Sequence, residues 1–131
     1  MPSEEEIYQE HILDHYEDPF HQGPLAGETH AHEDKNPLCG DVVRIALKVD
    51  DASKGGAAKI VDCAFEGDGC VISQASASML LEELCGKTVD EVEAFSAEDM
   101  LKLYGPRLTP NRQKCCLLSW RVIRQAVHSP V

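Results

Sequence analysis

Hydrophobic residues near the start of the chain recur at helical spacing. They are Ile7, Tyr8, Ile12 and Tyr16, and they predict an N-terminal helix that ends before Pro19. Ser3 and Glu6 stand three residues apart at its start, which is the spacing of a capping box. The next segment is rich in Gly, His, Pro and Asp through about residue 36, so we expect a loop there.

In the middle of the chain, apolar residues recur at every second position, as they do in β-strands. Residues 42–49 alternate between apolar and polar side chains and predict a strand, with an apolar side formed by Val43, Ile45, Leu47 and Val49. Residues 59–65 predict a second strand, with one face formed by Val61, Cys63 and Phe65. A turn-rich loop joins the two segments, which indicates an antiparallel hairpin.

The second half of the chain predicts helices. Ser73 is placed to cap a helix that ends at Gly86. Two shorter helices begin at capping boxes, which are formed by Thr88 with Glu91 and by Ser96 with Asp99. A last amphipathic helix covers residues 114–127. This order predicts an α+β fold, in which helices pack on a small antiparallel β-sheet, as a single domain over residues 1–131.

Composition and charge narrow the possible partners. The 131-residue chain has 43% hydrophobic residues, enough for one core, and a formal net charge of −11. An acidic surface repels phosphate backbones, so we expect a basic protein partner and no nucleic acid. The acidic N-terminus does not resemble a signal peptide, and no stretch is long and apolar enough to span a membrane. We therefore expect a cytoplasmic protein whose six cysteines stay reduced.

Three cysteines have surroundings that suit metal binding or sulfur chemistry. Cys39 and Asp41 are separated by one glycine, so that on an extended segment both side chains point the same way. Cys70 follows a glycine-rich loop and precedes a helix, whose free N–H groups favour a thiolate. Cys115 faces inward in the first predicted turn of the last helix, beside the cationic Lys114. Each segment alone also fits a purely structural role, but thiolates gathered with a carboxylate would form a metal or sulfur-handling site.

A structural role is expected for the other cysteines and for one pair of the six histidines. Three cysteines are expected to fill apolar positions, namely Cys63, Cys85 and Cys116. Four histidines form two pairs, His11 with His15 at helical spacing and His30 with His32 in the predicted loop. The first pair indicates one face of the N-terminal helix, whereas a member of the second pair could approach Cys39.

Five segments of the chain combine into a family pattern. They are residues 12–19, the Asn-Pro-Leu-Cys-Gly-Asp run at 36–41, residues 69–79, Gly86-Lys87, and Lys114-Cys115 with Leu118 and Trp120. In this order and at these distances they resemble the U-type iron–sulfur scaffold proteins, the family of IscU, SufU and the N-terminal domain of NifU. The resemblance covers nearly the whole chain.

The resemblance implies a site and a function. Cys39, Cys70 and Cys115 are expected to be the ligands of a transient [2Fe-2S] cluster, with Asp41 beside them. The chain would be a scaffold for iron–sulfur cluster assembly that accepts sulfur from a cysteine desulfurase, takes iron and passes the cluster to acceptor apo-proteins. Cys115 is then the candidate persulfide acceptor, with Cys39 and Cys70 as the other reactive thiols.

Departures from IscU leave two alternatives open, one of them an enzyme. Lys114 stands where IscU proteins have a histidine, as in SufU, which implies a zinc-dependent sulfurtransferase with Zn²⁺ on Cys39, Asp41, Cys70 and Cys115. The extra segment of SufU between the second and third cysteines is missing here, which favours the scaffold. Leu-Thr-Pro-Asn-Arg at 108–112 replaces the Leu-Pro-Pro-Val-Lys motif of IscU, which argues against docking to a dedicated chaperone. A structural zinc-binding module without turnover is the third alternative.

Overall fold

Three β-strands and five α-helices form within residues 4–37, 40–105 and 107–131, which are the residues that the computed structural model describes. The helices are α1 (Glu4–Glu17), α2 (Val71–Leu84), α3 (Val89–Ala94), α4 (Ala97–Tyr104) and α5 (Pro110–Ala126), and the strands are β1 (His30–Asn36), β2 (Asp41–Val49) and β3 (Ile60–Asp68). The predicted α+β class is confirmed. The Ser3 cap and the side chains of Glu6, Ile7 and Tyr8 lie outside the described part of the chain.

The sheet is antiparallel with the order β1-β2-β3, so it has one strand more than the predicted hairpin. The loop prediction was wrong over β1, which pairs with β2 from His30 opposite Leu47 to Asn36 opposite Asp41. Its sequence is almost entirely polar because it forms an edge of the sheet, where charged side chains discourage pairing with other chains. Apolar alternation therefore could not reveal it.

A bulge changes which side of β3 faces the core. Lys48 pairs with Asp62 and Val49 with Ile60, which leaves Val61 without a cross-strand partner. Val61 was predicted to share a face with Cys63 and Phe65, but it is 51% exposed whereas those two are buried, and Ile60 is buried in its place. The apolar side of β2 is confirmed, since its four predicted members are all buried.

The core lies between the sheet and the helices α2 and α5. Its largest fully buried side chains include Phe65, Ile45, Leu47, Leu80, Leu118 and Ile123. On the outer side of α2 lies α1, and α4 packs against α5. Both predicted capping boxes, at the starts of α3 and α4, are present. Within the described ranges, no helix combines the length and the apolar character that crossing a lipid bilayer requires.

Two helix starts differ from their predictions, and both differences concern the candidate site. The N-cap of α2 is Cys70 rather than Ser73, so the helix begins earlier than the capping preference indicated. The N-cap of α5 is Thr109, followed by Pro110 at the first helical position. Cys115 therefore lies in the second turn of α5 and not in the first.

Candidate metal centre

The ends of β2, β3 and α5 meet at one place, where they bring together Asp41, Cys70 and Cys115. Asp41 is the first residue of β2, Cys70 joins β3 to α2, and Cys115 lies on the inner side of α5. One donor atom from each of the three residues lies within 4.8 Å of the other two. Cys39, the remaining predicted ligand, lies outside the described residues.

A tight turn between β1 and β2 places Asp41 at this point. Gly40 has a φ of 74°, a left-handed conformation that favours glycine, and its N–H donates to the carbonyl of Asn36 at 2.8 Å. The chain is therefore bent at Gly40, in a turn that leads directly into β2. The turn sets Asn36 directly opposite Asp41 in the sheet register.

The carboxylate of Asp41 is buried and bound to Cys70 through both of its oxygens. The backbone N–H of Cys70 donates to Oδ1 at 3.1 Å, and the Cys70 thiol donates to Oδ2 at 3.3 Å. Asp41 is only 3% exposed. A buried carboxylate is stable only where donors or cations surround it, so this pairing orients both potential ligands toward the same space.

Asn36 and Ser73 also lie beside the sulfur atoms, although the sequence assigned Ser73 only a helix cap and Asn36 no role at the site. The side-chain amide of Asn36 donates to Cys115 Sγ at 3.9 Å. Ser73 Oγ donates to the Cys70 carbonyl at 3.1 Å and lies 3.9 Å from Cys70 Sγ. Asn36 begins the same sequence motif that contains Cys39. Its place in that motif was the only indication in the sequence that Asn36 lies near the site.

Glycine at position 69 keeps the space beside the carboxylate open. A Cβ atom at Gly69 would lie 2.6 Å from Asp41 Oδ1 and 2.6 Å from Ser73 Oγ. Both distances are far below van der Waals contact, so a side chain here would displace the groups that orient Cys70. Glycine thus lets the backbone approach these two side chains without displacing them.

The two cysteines of this centre that the structure describes differ in solvent exposure. Cys70 is exposed, whereas Cys115 is only 8% exposed and lies beneath the surface. Burial, together with the charges that Cys116 and Cys70 acquire on ionisation, raises the pKa of Tyr104 to about 12, although Arg112 opposes the shift. Tyr104 therefore remains a neutral phenol at neutral pH.

Comparison with known proteins decides the family. The model of the NifU-like N-terminal domain matches residues 7–129. The chain belongs to the NifU-like N-terminal domain family. The U-type resemblance of its motifs is thereby confirmed.

Individual members of this family include proteins of two described kinds. The chain is 37% identical to the iron–sulfur cluster assembly scaffold protein IscU of Thermotoga maritima, over 92% of each chain. It is 32% identical to the zinc-dependent sulfurtransferase SufU of Bacillus subtilis, over 92% of this chain and 89% of that protein. A solved structure from Fervidobacterium islandicum, described as a candidate iron–sulfur cluster assembly scaffold protein for the SUF system, superposes with a TM-score of 0.73 at 31% identity, covering 95% of this chain and 99% of that one.

Several residues considered in the sequence analysis are not among the three gathered donors of this NifU-like domain. His30 and His32 precede Asn36 on β1 by six and four residues, which separates them from the site by about 20 and 13 Å. Cys116 is fully buried in the core, where burial raises the pKa of its thiol to about 11. The exposed Lys114 lines a neighbouring cleft of about 400 Å³ together with Asn36, Pro37, Leu117, Trp120 and Arg121.

The gathered donors can bind a soft or borderline cation. Cys70 and Cys115 offer two sulfur atoms and Asp41 offers oxygen, a combination typical of zinc and of iron in sulfur-rich sites. The oxygen is the harder ligand and holds such ions less tightly than a thiolate does. The arrangement is thus suited to holding a metal or cluster and to releasing it.

Proposed function

We propose that this chain is a scaffold for iron–sulfur cluster assembly, with a [2Fe-2S] cluster built on Cys39, Cys70 and Cys115 beside Asp41. The observation that carries the proposal is the convergence of Asp41, Cys70 and Cys115, whose donor atoms lie within 4.8 Å of one another. These residues come from three distant segments, and a fold that merely needed cysteines for packing would not gather them around a buried carboxylate. The similarity to proteins described as assembly scaffolds supports the same role.

Sulfur enters as a persulfide carried by a cysteine desulfurase. A thiolate of this chain attacks the outer sulfur of that persulfide, a new S–S bond forms, and the cysteine of the desulfurase leaves as a thiolate. An external electron donor then reduces the transferred sulfur to sulfide, which combines with iron on the scaffold. The cluster is the cargo of this reaction, and acceptor apo-proteins receive it.

Exposure and family resemblance favour different thiols for the first transfer. The resemblance assigns the acceptor role to Cys115, which is 8% exposed. The exposed Cys70 is the described thiol that an incoming persulfide reaches first, and its N–H and thiol are already oriented by Asp41. Persulfide mapping by mass spectrometry on the Cys70→Ser and Cys115→Ser variants distinguishes the two, because only loss of the acceptor abolishes the first transfer.

A second candidate function is zinc-dependent sulfur transfer, which the similarity to SufU and the lysine at position 114 favour. Asp41, Cys70 and Cys115 fit zinc, since sulfur and carboxylate oxygen are both ordinary zinc ligands. Zinc held there would keep the cysteine ligands deprotonated at neutral pH. In this alternative a cysteine of the chain accepts the persulfide sulfur and relays it, and no cluster accumulates.

Titration of the purified chain with a cysteine desulfurase separates the two functions. Under anaerobic conditions with cysteine, ferrous iron and a reductant, a scaffold accumulates iron and acid-labile sulfide in equal amounts. A sulfurtransferase instead accelerates cysteine turnover, and only when zinc is bound. Zinc-dependent acceleration without cluster formation would overturn the scaffold proposal, and the Cys115→Ser variant should lose either activity while keeping its circular dichroism spectrum.

A further inference from the structure

A second group of metal-ligating side chains lies at the other end of α2. His21, Cys63 and Cys85 each place a ligand atom within 4.8 Å of the other two. Cys70 is the N-cap of α2 and Cys85 is its C-cap, with 14 helical residues between them. At 1.5 Å per residue this separates the two groups by about 20 Å, so the second group is no part of the first centre.

Backbone hydrogen bonds fix the two cysteines of this group. Cys63 lies on β3 with its side chain in the core, where it is 1% exposed. The N–H of Cys85 donates to the Leu81 carbonyl at 2.9 Å, and the N–H of Gly86 donates to the Ile60 carbonyl at 2.9 Å. The end of α2 is therefore tied to the start of β3, and Cys85 is held beside Cys63.

His21 covers this pair from the solvent side and is held there by unusual backbone geometry. Its φ of 51° is left-handed, which is uncommon for a residue other than glycine. Its carbonyl accepts the N–H of Phe65 at 3.1 Å, and its ring stacks on Phe20 with the centroids 4.0 Å apart. Nδ1 of the ring lies 2.8 Å from the Cys63 carbonyl oxygen and 4.0 Å from Cys63 Sγ.

We propose that His21, Cys63 and Cys85 form a second metal site, which takes a thiophilic divalent cation of the zinc type. Two sulfur atoms and one imidazole nitrogen are the donors that zinc prefers over magnesium or calcium. Cys63 is buried, Cys85 is half-buried and His21 is exposed, so the site has a covered base and an open side for ion exchange. A remaining position is open to water or to the carboxylate of Asp62, which lies 3.6 Å from His21 Nδ1.

The charges of the loaded site balance. Burial raises the pKa of the Cys63 thiol, and the neighbouring Cys85 and Asp62 raise it further, so without metal the thiol keeps its proton. A divalent cation replaces the two thiol protons, which pass to solvent, and the ion with two thiolates is neutral overall. Nδ1 of His21 gives up its hydrogen bond to the Cys63 carbonyl when it becomes a ligand, and the ring proton moves to Nε2.

Cobalt titration of the full-length Cys70→Ser/Cys115→Ser variant tests this site separately from the proposed function. Co²⁺ bound to thiolates shows sulfur-to-metal charge-transfer absorption, whose intensity follows the number of thiolate ligands. We expect this variant to bind one Co²⁺ with that absorption and to release it to Zn²⁺. A further Cys85→Ser change should halve the absorption and weaken binding more than tenfold, because losing a ligand costs more than the roughly tenfold effect of losing an outer-shell partner.

His21→Asn offers a second test that preserves the backbone, since asparagine tolerates the left-handed conformation. It should weaken Co²⁺ binding at least tenfold without changing the circular dichroism spectrum, whereas Cys116→Ala should leave binding unchanged. The zinc content of the unmodified chain gives an independent measure, because the Cys85→Ser change should lower it by one ion per chain. The proposal is overturned if the double-serine variant binds no cobalt, or if Cys85→Ser and His21→Asn leave affinity and stoichiometry as they were.

Discussion

At the scale of single residues, we expect Asp41 to set how firmly the first centre holds a bound metal or cluster. Its carboxylate would be a hard ligand beside the soft thiolates of Cys70 and Cys115, which should weaken retention of a cluster. We therefore expect Asp41→Ala to retain a reconstituted cluster longer than the unmodified chain, as followed by visible absorption after addition of a chelator. Asp34→Ala removes the same charge from the edge strand and should not change the lifetime. Equal lifetimes for Asp41→Ala and the unmodified chain would refute this role.

Two glycines at the end of β3 should respond differently to alanine. A Cβ at Gly67 would lie 2.2 Å from the backbone carbonyl oxygen of Val42, which cannot move without disturbing the sheet. Gly67→Ala should therefore reduce the free energy of unfolding by about 1–3 kcal/mol in urea titrations. At Gly69 the obstructing atoms belong to the side chains of Asp41 and Ser73, which can rotate away.

Gly69→Ala should consequently keep most of the folding stability and lose affinity at the first centre. We expect metal binding to weaken by about tenfold or more, as is typical when groups that orient ligands are displaced. Competition with a coloured chelator measures the affinity, and urea unfolding measures the stability. A stable Gly69→Ala variant with undiminished affinity would show that Asp41 does not need its present position.

At the scale of elements, the attachment of α1 to α2 depends on a neutral histidine. Burial lowers the pKa of His15 from its usual 6.5; the charges of Glu82 and Asp14 oppose this, whereas His11 adds to it. Ser78 Oγ accepts the N–H of Phe20 at 2.8 Å, which leaves its own proton for His15 Nδ1 at 2.7 Å. Protonation of His15 Nδ1 would turn this acceptor into a donor, and the hydrogen bond from the Ser78 hydroxyl would be lost.

The pH dependence of folding follows from this lowered pKa. The unfolded chain binds a proton at His15 more readily than the folded chain, so stability falls as the pH drops through about 6.5. We expect the free energy of unfolding to decrease between about pH 7.5 and 5.5, and His15→Gln to reduce that decrease. Glu82→Gln removes a charge that raises the His15 pKa, and it should enlarge the decrease. Identical pH profiles for the three proteins would contradict this assignment.

Helices and strands with a regular spacing of apolar residues could be predicted from the sequence. Features that depend on pairing with another strand could not. The buried side of β2 and the capping boxes of α3 and α4 follow from local patterns, because each depends on residues close together in the chain. The edge strand β1 is polar and exists through its pairing with β2. The outward position of Val61 depends on a register shift that only the partner strand reveals.

At the scale of the whole molecule, the β3–α2 unit has a cysteine-containing group at each end. The motifs that resemble the U-type scaffold family predicted which residues meet at the first end, and the structure brings Asp41, Cys70 and Cys115 together there. No motif marked the second end, because the segments that contain Cys63, Cys85 and His21 match no known pattern. These segments meet only because α2 folds back against β3. Local sequence patterns cannot predict that residues far apart in the chain come together in space.

The central claim is that one metal or cluster centre forms on Asp41, Cys70 and Cys115. The most direct test is anomalous diffraction at the iron edge from crystals of the chain reconstituted without oxygen. We predict iron within bonding distance of both sulfur atoms, with the Asp41 carboxylate adjacent. Iron bound elsewhere in the molecule, with these three side chains making no contact to it, would contradict the account.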